Sequence, residues 1–250
     1  MGQAFICRRG GGDNGLIKQP KYTTDWPPDV YPFNAPNKTL DAGSNLGIAY
    51  SYSVYIPIVH AASCVDVTSD TSLSNTVATV GNSTVLLIWV TRSATSTPAG
   101  WTLVHSNPLL SDFGYTQYMN IAYKNTGADE TSVSVTVTCS TAGRIYSNLI
   151  SLTSPKTVTY VSETSGTASI TFDKPSSAIC LYSMQADLWP PESPFASYTT
   201  NDAGLTVYST SPTTPGRLGN IVDEKGIRSI TITHPSESAR LFNLVICTLT

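Results

Sequence analysis

The sequence predicts an all-β protein: an antiparallel β-sandwich of jelly-roll or immunoglobulin-like type, with an internal duplication, preceded by an extended N-terminal arm. Three observations predict it. First, residues 132–138 read Ser-Val-Ser-Val-Thr-Val-Thr and residues 229–233 read Ser-Ile-Thr-Ile-Thr. Period-two alternation puts Val133, Val135 and Val137 on a core face and Ser134 and Thr136 on the solvent face. Second, short apolar runs of strand length, Val85 to Val90 and Leu244 to Cys247, are separated by turn signals such as Val80-Gly81-Asn82, Thr126-Gly127-Ala128-Asp129, Ala142-Gly143, Ala203-Gly204 and Glu224-Lys225-Gly226. Regular short strands with such punctuation suit a sandwich, and the wholly apolar runs suit central strands buried on both faces. Third, no stretch of three helical turns carries a 3.6-residue period.

Residues 1–46 stand apart. They hold Gly10-Gly11-Gly12 and then Pro20, Pro27, Pro28, Pro32 and Pro36, with no sustained apolar period. Proline removes backbone donors and glycine raises the entropic cost of order, so this stretch cannot build its own core. It reads as a docking arm, with Phe5, Ile6 and Trp26 as apolar anchors and Arg8 and Arg9 as polar ones.

The β region divides into residues 47–155 and 156–250, as two halves or one joined unit. Three blocks echo across the division. Leu86-Leu87-Ile88-Trp89-Val90 lines up with Ile179-Cys180-Leu181-Tyr182-Ser183, Ser134-Val135-Thr136-Val137 with Ser229-Ile230-Thr231-Ile232, and Arg144 through Ser151 with Arg240 through Cys247. The offsets are 93, 95 and 96 residues. Their order and near-constancy predict a duplication. Exposed edges between halves would tend to pair, which favours a closely joined unit.

Composition excludes several classes. Charged residues are only 12% of the chain and the net charge is −3, with 14 basic residues scattered along it. A nucleic-acid partner held through phosphates needs clustered Lys and Arg, so none is expected. The longest apolar run is far shorter than a membrane span, so no insertion is expected. The start carries no apolar signal region, and export by a signal peptide is not expected. The five cysteines are odd in number and lack metal-type spacing. Cys180 and Cys247 read as small buried hydrophobes in a protein made in a reducing compartment.

Catalytic signatures are missing from the sequence. The three histidines, His60, His105 and His234, are isolated, so no metal centre is expected. There is no nucleophile elbow, no phosphate loop and no dinucleotide fingerprint, so neither a catalytic residue nor a cofactor is expected. Most acids fall in turns, where they cap backbone amides or face water. One acid–aromatic cluster stands out: Asp187 and Glu192 flank Trp189. With Trp101, these are the candidate glycan contacts, because sugar rings stack on aromatic faces and hydrogen-bond to carboxylates.

Three segments carry a resemblance. The opening, Gly2-Gln3-Ala4-Phe5-Ile6-Cys7-Arg8-Arg9-Gly10-Gly11, resembles that of appendage and virion proteins of bacteriophages. The stretch Asn82 to Val90 followed by Thr97-Pro98-Ala99-Gly100-Trp101-Thr102-Leu103 is similar to the strand and turn of phage tail-fibre-like β-sandwich proteins. Met119 to Ala128, with the strands that follow, is similar to the next part of that family's pattern. Where the family commonly has Gly-Asp before the long strand, this chain has Gly81-Asn82-Ser83. The resemblance implies a non-enzymatic virion protein: host-surface attachment of tail-fibre or appendage type, or capsid decoration or a head fibre. Other virion proteins bound through the arm, a host-surface glycan and further copies of the chain are its expected partners. A free carbohydrate-binding module is the alternative outside the virion.

Overall fold

The alternating valines and isoleucines do form strands. The computed structural model describes residues 57–110, 116–167, 169–188, 198–209, 218–233 and 239–250, and every regular element among them is a β-strand. The arm, with Phe5, Ile6, Arg8, Arg9 and Trp26, lies outside the described residues, as do Trp189 and Glu192. The strands are β1 (Val59–Ala78), β2 (Thr84–Thr91), β3 (Thr102–Leu110), β4 (Thr116–Asn125), β5 (Ser132–Leu152), β6 (Val158–Gly166), β7 (Ser169–Asp173), β8 (Ile179–Leu188), β9 (Thr199–Thr200), β10 (Tyr208–Ser209), β11 (Leu218–Asp223), β12 (Ser229–Thr233) and β13 (Ala239–Leu249).

All pairings are antiparallel. The first main sheet has the order β1-β5-β2-β4-β3, the second β6-β13-β8-β11-β10, and a small third sheet β7-β12-β9. The second order repeats the first, with β6, β8, β10, β11 and β13 standing for β1, β2, β3, β4 and β5. In the first half, β1 and β5 run on past register shifts near Val67 to Ser72, so that Ser72–Ala78 pairs with Ser132–Thr138. In the second half the same ladder is cut into the separate strands β7 and β12. Both halves belong to one compact unit.

Three apolar layers follow. The main sheets pack face to face through Leu86, Ile88 and Val90 of β2, Met119 and Ile121 of β4, and Leu181, Val245, Cys247 and Leu249 of the second sheet. The other face of the first sheet, with Val85, Leu87 and Trp89, is covered by Val77, Val133, Val135 and Val137 of its own folded-over ribbon. The other face of the second sheet, with Tyr182 and Met184, is covered by Ile170, Ile230 and Ile232 of the small sheet. Strand β2 therefore faces a core on both sides, and all eight of its residues are buried. That is why its sequence shows no alternation.

Buried polar groups cross between the main sheets. Asn148 Nδ2 donates across to Asn220 Oδ1 at 2.7 Å, and Asn220 Nδ2 donates within its own sheet to Ser183 Oγ at 3.0 Å. Gln185 Nε2 donates to Gln117 Oε1. At one end the β1–β2 turn meets the β4–β5 turn. Thr126 Oγ1 accepts from Ser83 N at 2.9 Å, and a Cβ at Gly81 would fall 1.8 Å from the Ala128 carbonyl oxygen.

The echo in the sequence needs one adjustment. The 96-residue offset between Arg144–Ser151 and Arg240–Cys247 matches the right strands on the wrong faces. Ile150 faces the inter-sheet core but Ile246 faces the outer one. Side chains alternate faces with period two, so only an odd offset preserves the face. Cys247 is the residue that faces the same core as Ile150.

Candidate functional site

Of the candidate glycan contacts, Trp101 is the one whose side chain is described. Pro98 to Trp101 forms a β-turn closed by Trp101 N donating to Pro98 O at 3.2 Å, with Gly100 at φ 79° in its third position. Only glycine takes that conformation without strain. The turn lays the Trp101 ring, half-buried, against the outer core of the first sheet, next to Leu103, which is 46% exposed. Asp187 lies in β8 opposite Leu241.

The outward faces of the two covering layers share one chemistry. On the first, Ser74 Oγ lies 2.8 Å from Thr136 Oγ1 and Thr76 Oγ1 lies 2.8 Å from Ser134 Oγ. On the second, Thr171 Oγ1 lies 2.9 Å from Thr231 Oγ1. These exposed cross-strand hydroxyl pairs leave both faces neutral and polar.

An ionic cluster ties the β11–β12 turn to the turn after β9. Lys225 Nζ sits 2.7 Å and 2.8 Å from the two Asp202 carboxylate oxygens, and Arg228 reaches Asp202 at 3.3 Å and Asp223 at 3.0 Å. Fully buried Asp223 also accepts from Tyr182 Oη at 3.0 Å and from Lys225 N at 3.0 Å. The Lys225 hydrogen bond holds the Asp202 carboxyl below its usual range. Burial, and then the Asp223 charge, push the Tyr182 phenol up.

At the sandwich edge formed by β3 and β6, His105 stacks on Tyr160 with centroids 5.1 Å apart. Its Nε2 lies 3.8 Å from Glu163 Oε2, which accepts from Asn107 Nδ2 at 2.7 Å. Burial pushes the His105 imidazole down, partly countered by Glu163.

The acids here work on the fold. Asp202, Asp223, Glu163 and Glu130 accept from backbone amides, arginine, lysine or neighbouring side chains that brace turns and edges. Among the described residues, no group of three or more His, Cys, Asp or Glu side chains is placed to hold a metal ion.

The sequence reading missed a shallow dip, with room for about one water molecule, lined by Val90, Thr91, Arg92, Gln117, Arg144 and Tyr146. Its two arginines are far apart in the chain, and only the pairing of β5 with β2 brings them together. Arg144 opens one of the echoed blocks, but that pattern carries no sign of a neighbouring Arg92.

Compared with protein-family models, curated proteins and solved structures, the chain finds no match.

Proposed function

We propose that this protein is a non-enzymatic structural component of a bacteriophage particle. It is attached through its N-terminal arm and projects the duplicated sandwich for host-surface attachment. The observation that carries this reading is the pairing of the two halves. Their sheets are joined by the buried amide contacts Asn148–Asn220 and Gln185–Gln117, and both outward layers present the same neutral hydroxyl pairs. Such a body is rigid, and its two sides offer surfaces of one chemistry. That suits a part built into a larger assembly and exposed on it. The motif resemblance at Gly2–Gly11, Asn82–Leu103 and Met119–Ala128 supplies the kind of assembly.

Deletion of residues 1–46 tests the attachment half of this reading. The truncated protein is expected to stay folded, with an unchanged β-sheet circular dichroism spectrum, and to be missing from particles assembled in its presence. A truncated protein that still joins particles would remove the arm from the docking role. Assembly onto the head rather than the tail would favour capsid decoration.

A further inference from the structure

A strand at the rim of a sheet offers unpaired backbone N–H and C=O groups to any strand that fits. Short length, proline, bulges and inward-pointing charges close such rims. Among the described residues the rims are β1, β3, β6, β7, β9 and β10. Strands β9 and β10 are two residues long and β7 is five. Strand β3 has a register shift between Leu103 and His105 and holds Pro108. Strand β6 meets a register shift at Ile246–Cys247, and its Glu163 lies beside Val245 on the face between the main sheets. Strand β1 has none of these devices from Ser72 to Ala78. There its pairing with β5 runs unbroken through Ser-Leu-Ser-Asn-Thr-Val-Ala, with neither a charge nor a proline.

That stretch is also complementary to itself. Leu73, Asn75 and Val77 face the outer core of the first sheet, while Ser72, Ser74 and Thr76 are exposed on the other side. A second copy can lie antiparallel to it about a two-fold axis at Asn75, perpendicular to the sheet, which keeps inward faces inward. Leu73 then meets Val77 of the second copy, and Ser74 meets its Thr76. Apolar falls beside apolar and hydroxyl beside hydroxyl. The Ser74–Thr136 and Thr76–Ser134 pairs, each 2.8 Å apart within one copy, continue across the join as one ladder. Asn75 at the axis is already satisfied within its own chain. Its Nδ2 donates to Ser63 O at 3.0 Å and to Ser147 O at 3.1 Å, and its Oδ1 accepts from Ser63 Oγ at 2.7 Å. Leu73, only partly buried, gains apolar cover. Other registers fit worse. A slip of one residue sets Leu73 against Thr76, a core face against a solvent face, and a slip of two sets Leu73 or Val77 against Asn75. The occupant this pattern fits is therefore a second copy of the same strand.

We infer that two copies of the chain pair edge to edge through Ser72–Ala78 of β1, joining their covering ribbons into one continuous layer. The inference stands apart from the phage reading, since it needs only β1 and β5.

The test is sedimentation equilibrium of the full chain and of two double variants. The parent is expected to form a dimer. Ser74→Lys/Thr76→Lys sets lysine opposite lysine on both sides of the axis and should weaken the dimer about tenfold or more. Ser74→Lys/Thr76→Glu sets lysine opposite glutamate at the same places and should restore it. Both positions are exposed, so both variants should keep the parent's circular dichroism spectrum, which separates lost pairing from lost folding. A monomeric parent would overturn the inference and leave the rim to a strand of another protein. So would an assembly larger than a dimer, a dimer that both variants leave unchanged, or one that both abolish while still folded.

Discussion

Asn148 and Asn220 meet at 2.7 Å in the buried space between the two main sheets. Asn148 is the one polar residue in its row of three, Asn220 shares its row with Ser183, and the rows are equivalent in the two halves. In the first sheet Ile121, Ile88 and Asn148 lie side by side across β4, β2 and β5. In the second, Asn220, Ser183 and Val245 lie across β11, β8 and β13. Strand β5 packs over β11. Two copies of the first half would set Asn148 against Ile121, and two copies of the second would set Asn220 against Val245. Only the mixed pairing brings the two amides together. The contact therefore selects the correct partner as well as stabilising it.

Replacing one of the pair should expose this. Asn148→Val leaves Asn220 buried with one partner fewer and should cost about 1–3 kcal/mol. The double variant Asn148→Val/Asn220→Ile copies the apolar residues found at the equivalent positions and should recover at least half of that loss. Urea unfolding of the two variants measures the difference.

Acid should weaken the fold in two stages. The His105 imidazole is held below its ordinary value of 6.5 by burial, so the folded state disfavours the proton that the unfolded chain accepts. That contribution is fully present above pH 6.5 and is lost as pH falls through the folded value. Asp202 and Glu130 are held below 3.8 and 4.5 by their lysine partners, and their contributions disappear at lower pH still. His105→Asn should flatten the first stage of a stability-versus-pH curve and leave the second.

The thiols should be slow to react in the folded protein. Burial pushes Cys64 up to about 11 and Cys247 up to about 12, from 9.0. The thiolate is the reacting form, so at pH 8 each should alkylate about a hundredfold more slowly than a free cysteine, or slower. Mass spectrometry after iodoacetamide treatment, with and without urea, checks this. Both sites should be modified readily only when unfolded.

The meeting of the β1–β2 and β4–β5 turns rests on the missing side chain at Gly81. Gly81→Ala drives a methyl group into the Ala128 carbonyl, and the two turns must separate. A loss of about 1–3 kcal/mol is expected, as for an overpacked core. Thermal melts of the variant measure it.

The fold class was legible because the strands are written in two clear dialects. Val133 to Val137 alternates, since one face of that ribbon meets solvent. Val85 to Val90 does not, since cores lie on both sides of β2. The duplication was legible from local blocks, but its register was not. A shift of one residue keeps the composition of a strand and inverts its faces, and only the pairing of β13 with β8 fixes which face Ile246 takes. The dip was illegible for a related reason. Arg92, Gln117 and Arg144 are brought together by sheet order, and no local pattern records that order. Trp101 was legible as a turn residue, through Pro98-Ala99-Gly100, but its packing on the outer core depends on the ribbon folded over that sheet.

The most direct test of the proposed role is immunogold electron microscopy of intact phage particles, with antibody raised to residues 47–250. Label at the tail tip or baseplate is the expected result, and it would place the sandwich where a host-attachment part works. Label over the capsid would make the protein a decoration or head-fibre component. Particles that carry no label would contradict the virion role and return the free carbohydrate-binding module to first place.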